Sequence, residues 1–447
     1  MTGTHHDDTE YILKATREQN IHTIRLWFTD ILGFLKSIEI PRTELENVLE
    51  NGQSFDGSSI EGYARVDESD MIARPDPASF QILPGGNRRD KRVARMFCDI
   101  FTPEGTPYAG DPRQALKRNL NIAREEGYTF YIGTELEYYY FKTNRGRPEP
   151  LDSDGYFDLT AREASDDYRQ QTVIALEEAG IGVESSHHEG GPGQHEIDLR
   201  YCDALTMAEN VLTFRLLVKE IARNHGIYAS MMPRPLSGQN GNGMHTHQSL
   251  FKKERNIFFD SKRTHNISRS CEHYIAGLLQ HAPEFTLVTN QWINSYKRLV
   301  KGFEAPIYTT WAIRNYSDLV RVPSFKKGRE NSIRVELRSP DPACNPYLAF
   351  SCILAAGLAG IKNKYPLPPA STANVHTLPE SERQKLGIRN LPGDLNEAIR
   401  CFSESELMRK ALGDHLFNSL IENKRLEWED YRRQVSRWEM KKYFRVL

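Results

Sequence analysis

Phe130-Tyr-Ile-Gly-Thr-Glu135-Leu-Glu137-Tyr-Tyr-Tyr-Phe141 constrains the architecture of this chain more than any other segment. Its aromatic density favours a strand. Alternate residues on a strand share a face, so Glu135, Glu137, Tyr139 and Phe141 point one way and Leu136, Tyr138 and Tyr140 the other. Taken alone, such a pair of acids is ordinarily the wet side of a half-exposed strand. On so apolar a run, however, two carboxylates repel each other and lose hydration unless a cation joins them.

Three further clusters extend this pattern. Glu184-Ser-Ser-His187-His188-Glu189-Gly-Gly-Pro-Gly-Gln194-His195-Glu196-Ile-Asp198 reads as a hairpin, with Glu189 and Glu196 flanking a tight glycine-rich turn. In Asn240-Gly-Asn-Gly-Met-His245-Thr-His247-Gln-Ser249 the alternation puts His245, His247 and Ser249 on one face of a strand leaving a turn. In Arg334-Val-Glu336-Leu-Arg338 three charged residues alternate with Val335 and Leu337. Carboxylates are the ligands that Mg²⁺ and Mn²⁺ prefer, and imidazole can add a contact for Mn²⁺. A solvated loop and a salt-bridged surface strand are the plain readings of the second and fourth clusters. Arg298, Arg314, Arg321, Lys326, Lys327 and Arg329 add a cationic density suited to polyphosphate or carboxylate. There is no Walker G-x-x-x-x-G-K-[ST] and no H-E-x-x-H, so neither a P-loop nor a zinc hydrolase is indicated.

The 447 residues are about three times the ~150-residue prior for one domain, so two or more domains are expected. Lys and Arg total 58 against 60 Asp and Glu, a balance that gives no electrostatic case for nucleic acid or an anionic membrane. No apolar stretch approaches the ~20 residues of a membrane span. The start has neither the basic nor the apolar region of a signal peptide. Six scattered cysteines without a C-x-x-C pair point to free thiols and a cytoplasmic location.

A helix over 9–20, a hairpin of His22–Phe28 and Leu35–Ile40, a loop over 51–59 and a strand over 93–100 suggest a small α+β domain ending near residue 105. Helices are expected over 113–126, 162–179, 205–224, 268–288 and 346–364, with loop over 365–380 and helix beyond.

Six motifs then carry a resemblance. They are Asp56-Gly-Ser-Ser-Ile60, Gly133-Thr-Glu-Leu-Glu137, His187-His188-Glu189 through Gln194-His-Glu196, Asn240-Gly through His245, Asn294-Ser-Tyr-Lys-Arg298, and Arg334–Arg338 running on to Asn345-Pro-Tyr347. In this order, over residues 10–447, they resemble glutamine synthetase of the bacterial and archaeal type I class, in its alpha-like subgroup without adenylylation. The resemblance implies an α+β fold: an N-terminal β-grasp domain over 10–105 and a catalytic domain over 110–447 whose antiparallel strands form a metal-lined funnel. It implies ATP-dependent ligation of ammonia to the γ-carboxylate of L-glutamate through γ-glutamyl phosphate. It also implies two or more Mg²⁺ or Mn²⁺ per subunit, a homododecamer with sites between subunits, and nitrogen-regulatory proteins as partners.

Carried over by position, Glu137, Glu189 and Glu196 match the ligands of one metal, and Glu135, His245 and Glu336 those of the other. Glu184, His247, Ser249 and Arg321 match nucleotide contacts, with Arg334 added. Asn240, Gly241, Arg298, Glu304 and Arg338 match the glutamate site and the flap Lys301–Pro306 above it. Asp56, Ser59, Tyr156 and Glu189 match the ammonium pocket, with Asp56 as the base. The chain departs from the pattern at Tyr316, where the family carries an arginine, and has His376 at the tyrosine that some members adenylylate. Arg65 matches an arginine linked to glutamine feedback. Tyr316 keeps a γ-glutamyl ligase for a polyamine or another primary amine as the second reading. A non-catalytic homologue predicts lost metal ligands, and all six positions are occupied by competent residues.

Overall fold

The computed structural model describes residues 4–62, 70–84, 92–159, 164–313, 317–326, 328–371 and 375–447. Arg65, Arg314 and Tyr316 lie outside the described residues, as does the side chain of His376.

The N-terminal part is a six-stranded sheet in the order Leu35–Pro41, Ile21–Thr29, Arg92–Phe101, Asp70–Pro75, Gln53–Asp56, with Gln81–Ile82 also on Arg92–Phe101. The two central strands, Ile21–Thr29 and Arg92–Phe101, run parallel and the rest antiparallel. The expected hairpin is there, closed by Asp30-Ile-Leu-Gly33 with Gly33 at φ +81°. Gln53–Asp56, expected as loop, is instead an edge strand, paired with Asp70–Pro75 from Gln53↔Ala73 to Asp56↔Asp70. Its polar composition hides a pairing that a distant strand supplies.

The larger sheet has nine strands. Its main path is Trp311–Ile313, Val320–Val322, Val335–Leu337, Met244–Lys252, Thr129–Phe141, Gln194–Asp203, Val183–His188. It is antiparallel except for the parallel pair Trp311–Ile313 and Val320–Val322. One face is packed by helices. Leu136, Tyr138 and Tyr140 point into that core with Met207, Val211 and Phe214 of the helix Ala204–Asn224. The other face is free to hold polar groups.

Long helices are started by side-chain caps. Asp111 caps Pro112–Glu125, Ser268 caps Arg269–Thr289 and Asn345 caps Pro346–Asn363, each accepting from a first-turn N–H. The last of these is apolar nearly all round, and it packs against Arg269–Thr289 with Gly277 and Gly360 at the crossing, where an added Cβ would lie 2.1–2.2 Å from backbone carbonyl oxygen. Trp27 and Phe97 of the N-terminal sheet, and Ile31 of its hairpin turn, join this same core. All six cysteines are unpaired. No helix among the described residues is long and apolar enough to cross a membrane.

Candidate metal centre and active site

Residues directly opposite on neighbouring strands share a face. Register therefore builds the site in rows. One row runs His245, Glu135, Asp198; the next runs Glu137, Glu196, His187; and Glu336 lies between His247 and Arg321. The alternation read from sequence converges here because four strands present their polar face to one place.

Glu135 Oε2 lies 2.8 Å from His245 Nδ1, and His245 Nδ1 lies 3.9 Å from Glu336 Oε1. Glu135, His245 and Glu336 form one group whose ligand atoms all lie within 4.8 Å of each other, and Glu137, Glu196 and His245 form another. Glu137 Oε2 accepts from Gly243 N and from Gln194 Nε2, both at 3.0 Å. Glu189 Oε1 stands 3.6 Å from His187 Nδ1, whose Nε2 is 3.2 Å from Glu196 Oε1.

Electrostatics mark the place as short of positive charge. Burial pushes the Glu137 carboxyl up to about 7, although Arg298 and the Gly243 N–H pull it back. Burial and then the Glu137 charge push Glu189 up to about 8. Glu196 is raised well above the usual range by the same two causes. For Glu135, burial is outweighed by His247 and His245, which hold it well below that range. Burial and Arg338 lower His245, leaving a neutral imidazole that can ligate.

Two structural details fit a divalent cation. His245 Nε2 is buried with no hydrogen bond among the described residues and faces Glu137 Oε1 at 3.7 Å. Beside it Gly243 has no side chain, and a Cβ there would stand 2.9 Å from His245 Nε2, 3.1 Å from Glu137 Oε1 and 2.7 Å from Arg298 Nη2. The glycine keeps open a small oxygen- and nitrogen-lined seat of the kind Mg²⁺ or Mn²⁺ takes.

Cationic side chains line the Glu336 end. Arg338 donates to Glu336 Oε1 at 2.5 Å, and Arg321 donates to the other oxygen. Arg334 donates to His247 Nδ1 at 3.1 Å, so His247 presents Nε2–H to Glu135. Arg298 is buried and donates to the Ser339 carbonyl at 2.7 Å, which fixes its guanidinium beside Glu137. The Asn240 carbonyl accepts from Tyr139 at 2.8 Å, and the Gly241 carbonyl accepts from Gln194 at 3.2 Å.

At the rim, the exposed Tyr156 ring meets His187 edge-on at 5.6 Å, and the exposed Glu304 is near enough to raise Glu189. Glu184 is exposed on the outermost strand, and Ser249 is half-buried opposite Tyr131. Asp56 and Ser59 are not gathered with the rest. They are exposed on the N-terminal sheet, where Asp56 accepts from Ser58 N at 2.8 Å, and no hydrogen bond or ion pair among the described residues links them to the funnel. Residues without a role in the sequence reading also enter. Gln194 bridges Glu137 to the Gly241 loop, Asp198 lies across from Glu135, and Asp152 reaches in from 36 positions before His188. Gln194 and Asp198 stand in the acid-rich run, whereas Asp152 carries no local signal.

Comparison with known proteins agrees with this geometry. Residues 20–103 match the family model described as glutamine synthetase, beta-Grasp domain, and residues 109–443 that of the glutamine synthetase catalytic domain. The chain is 50% identical over 441 residues to a glutamine synthetase of Mycolicibacterium smegmatis, covering 97% of this chain and 98% of that one. It is 46% identical to a glutamine synthetase of Methanosarcina mazei, covering 98% of each. Among solved structures it superposes on a GmaS/ADP complex with TM-score 0.88 at 30% identity, covering 97% of this chain and 99% of that one. It superposes on Plasmodium falciparum glutamine synthetase with TM-score 0.88 at 25% identity, covering 98% of both. With both family models matched and half the residues shared with a full-length relative, the chain belongs to the glutamine synthetase family of ligases.

Proposed function

We propose that the funnel of Glu135, Glu137, Glu189, Glu196, His245 and Glu336 seats two divalent cations, Mg²⁺ or Mn²⁺, at which this chain ligates ammonia to L-glutamate. The observation that carries it is His245, which belongs to both carboxylate groups and whose Nε2, facing Glu137, has no hydrogen bond among the described residues, beside a glycine that keeps the seat open. Bound there, the cations would supply the positive charge that lets the ATP γ-phosphoryl group approach a carboxylate.

The chain's own residues do the rest. Arg298 and Arg338 hold the glutamate carboxylates, with Asn240 and Gly241 lining that end. Arg321 and Arg334, with Glu184, His247 and Ser249, receive the nucleotide. Transfer of the γ-phosphoryl group gives γ-glutamyl phosphate and ADP. Attack by neutral ammonia forms the amide bond and releases phosphate. Ammonium must first lose a proton, and Asp56 takes it, with Ser59, Tyr156 and Glu189 lining the pocket. Because Asp56 and Ser59 stand apart from their own funnel, those of a neighbouring subunit complete it, in a homododecamer. The loop Lys301–Pro306 carries Glu304 over the glutamate and excludes water from the acyl phosphate. We place the enzyme in the cytoplasm, free of adenylylation at His376, with glutamine feedback through Arg65 and nitrogen-regulatory proteins as partners. The residues 10–105 and 110–447 act as the β-grasp and catalytic domains.

Two measurements test this reading. Mn²⁺ titration of the purified oligomer gives two sites per chain, and ADP release with glutamate and ATP across a panel of amines is fastest with ammonium. No Mn²⁺ binding and activity indifferent to chelator overturn the cation seats. Faster release with a polyamine or another primary amine puts the second ligase reading, suggested by Tyr316, first.

A further inference from the structure

Behind the funnel lies a buried polar cluster with no role in the chemistry above. Asp152 follows the long central strand and is held to it by the Leu151 N–H, which donates to the Tyr140 carbonyl at 3.1 Å. Its side chain is 2% exposed. Asp152 Oδ1 accepts from Gly193 N at 2.5 Å and from His188 Nε2 at 3.0 Å. Its Oδ2 faces His195 Nε2 at 3.5 Å, and neither atom has a hydrogen bond among the described residues.

Asp152, His188 and His195 are spaced like metal ligands, yet their hydrogen bonds exclude that use. His188 Nδ1 is 2.7 Å from the Glu189 carbonyl. A carbonyl and a carboxylate only accept, so both nitrogens of His188 carry protons and the ring is an imidazolium. Arg169 donates to His195 Nδ1 at 2.9 Å, so His195 Nε2 carries its proton and offers no lone pair. The cluster is a brace instead of a cation seat. It grips the hairpin by hydrogen bonds at two points, the residue before Glu189 and the turn glycine, and faces the residue before Glu196.

We propose that Asp152 is a positioning residue that sets the Glu189–Glu196 hairpin and thereby the affinity of the cation seat formed by Glu137, Glu189 and Glu196. It touches neither substrate nor cation. The second seat, of Glu135, His245 and Glu336, stands on Thr129–Phe141, Met244–Lys252 and Val335–Leu337, and the hydrogen bonds of the Asp152 side chain go to Gly193 and His188, on none of these strands. Loss of the brace therefore weakens one seat and spares the other. This rests on the two-cation reading above.

The test is Mn²⁺ binding by electron paramagnetic resonance to the parent oligomer, Asp152→Asn and His188→Asn. Asparagine at 152 keeps the shape but removes the charge opposite His188. Asparagine at 188 can still reach the Glu189 carbonyl but not Asp152. In each variant one of the two sites weakens by about 10–100-fold, the range for loss of a group that orients a ligand. The other site stays near its parent affinity, whatever melting temperature is lost by unpairing the buried Asp152–His188 contact. Half-saturating Mn²⁺ for glutamine synthesis rises by the same factor, while kcat at saturating Mn²⁺ is kept. Absence of two sites in the parent overturns the cation reading itself. Two parent sites that Asp152→Asn leaves unchanged overturn the positioning role. So does equal weakening of both sites with a lowered melting temperature, which marks a structural role only. Should Asp152→Asn fail to assemble, His188→Asn decides alone by the same readings.

Discussion

At the scale of single residues, Tyr316 carries the most consequence. A guanidinium there would stabilise charge that develops in phosphoryl transfer, and removing one such donor typically lowers turnover by about 10²–10³-fold. A phenol donates one hydrogen bond and no charge. Asp56, Tyr156 and Glu304 keep the ammonium-site pattern, so the charge is expected from a neighbour: Arg314, two positions upstream, or Arg329, exposed at the start of the Glu330–Ser332 turn. Arg314→Ala or Arg329→Ala then lowers ammonium-dependent ADP release sharply, and Tyr316→Arg changes it little. A many-fold rise in Tyr316→Arg from a near-zero baseline defeats compensation and favours another amine. The funnel's acids and histidines were legible because period-two alternation is local. Asp152 was not, because nothing in a sequence states that residue 152 packs under a turn at 190–193. The separation of Asp56 from the funnel is not legible in residue type or spacing, and only the resemblance, with its sites between subunits, anticipates it.

At the scale of elements, two glycines decide how the strands meet. Gly193 has φ +71°, and a Cβ on it would lie 2.7 Å from the Tyr140 carbonyl oxygen. Gly193→Ala should therefore destabilise the hairpin by about 1–3 kcal/mol, seen as a lowered melting temperature. Gly243 has an ordinary backbone, so the added methyl of Gly243→Ala strains no φ and instead crowds His245 Nε2, Glu137 Oε1 and Arg298. That variant should lose Mn²⁺ affinity and synthesis by at least about tenfold while its melting temperature changes little. An equal thermal loss in both variants, with Mn²⁺ binding kept in Gly243→Ala, removes the open seat from the account. The same contrast explains what the fold disclosed. Long helices and the Thr129–Phe141 strand announce themselves by period and length. Gln53–Asp56 is four polar-flanked residues whose strand state comes from Asp70–Pro75. Trp311–Ile313 and Val320–Val322 are three residues each, too short to show a period, and their parallel pairing is set by the sheet around them.

Across the whole molecule, buried charge sets both cohesion and pH response. Arg113, on the helix Pro112–Glu125, donates at 2.5 Å to Asp99 of the N-terminal sheet, at 2.6 Å to Asp76 just past its strand Asp70–Pro75, and at 2.8 Å to Glu209 of Ala204–Asn224. Arg113→Met removes the shared partner of all three, leaving the buried Glu209 without its ion pair and Asp99 with Lys117 alone, and should cost about 3–5 kcal/mol in thermal unfolding. The funnel makes the opposite demand at Glu137, Glu189 and Glu196, which are crowded together and buried with their carboxyls pushed up. Glu137 and Glu189 are raised to about 7 and about 8 from an ordinary 4.5. Between about pH 4.5 and 8 the cation-free folded chain holds protons that the unfolded chain has released, so its stability falls as pH rises. Glu135 and Glu336 are lowered, so their contribution changes only below about pH 4.5, outside that window. Asp111, raised to about 7 by burial, adds the same downward slope but lies away from the funnel at a helix cap. It therefore slopes equally with and without metal, and the difference between chelated and Mn²⁺-loaded protein isolates the funnel. That difference in melting temperature should grow from about pH 6 to about pH 8.5, and calorimetry in buffers of unlike ionisation enthalpy should show protons released on Mn²⁺ binding near pH 7. A difference independent of pH, with no proton release, would mean that the cation does not sit among Glu137, Glu189 and Glu196.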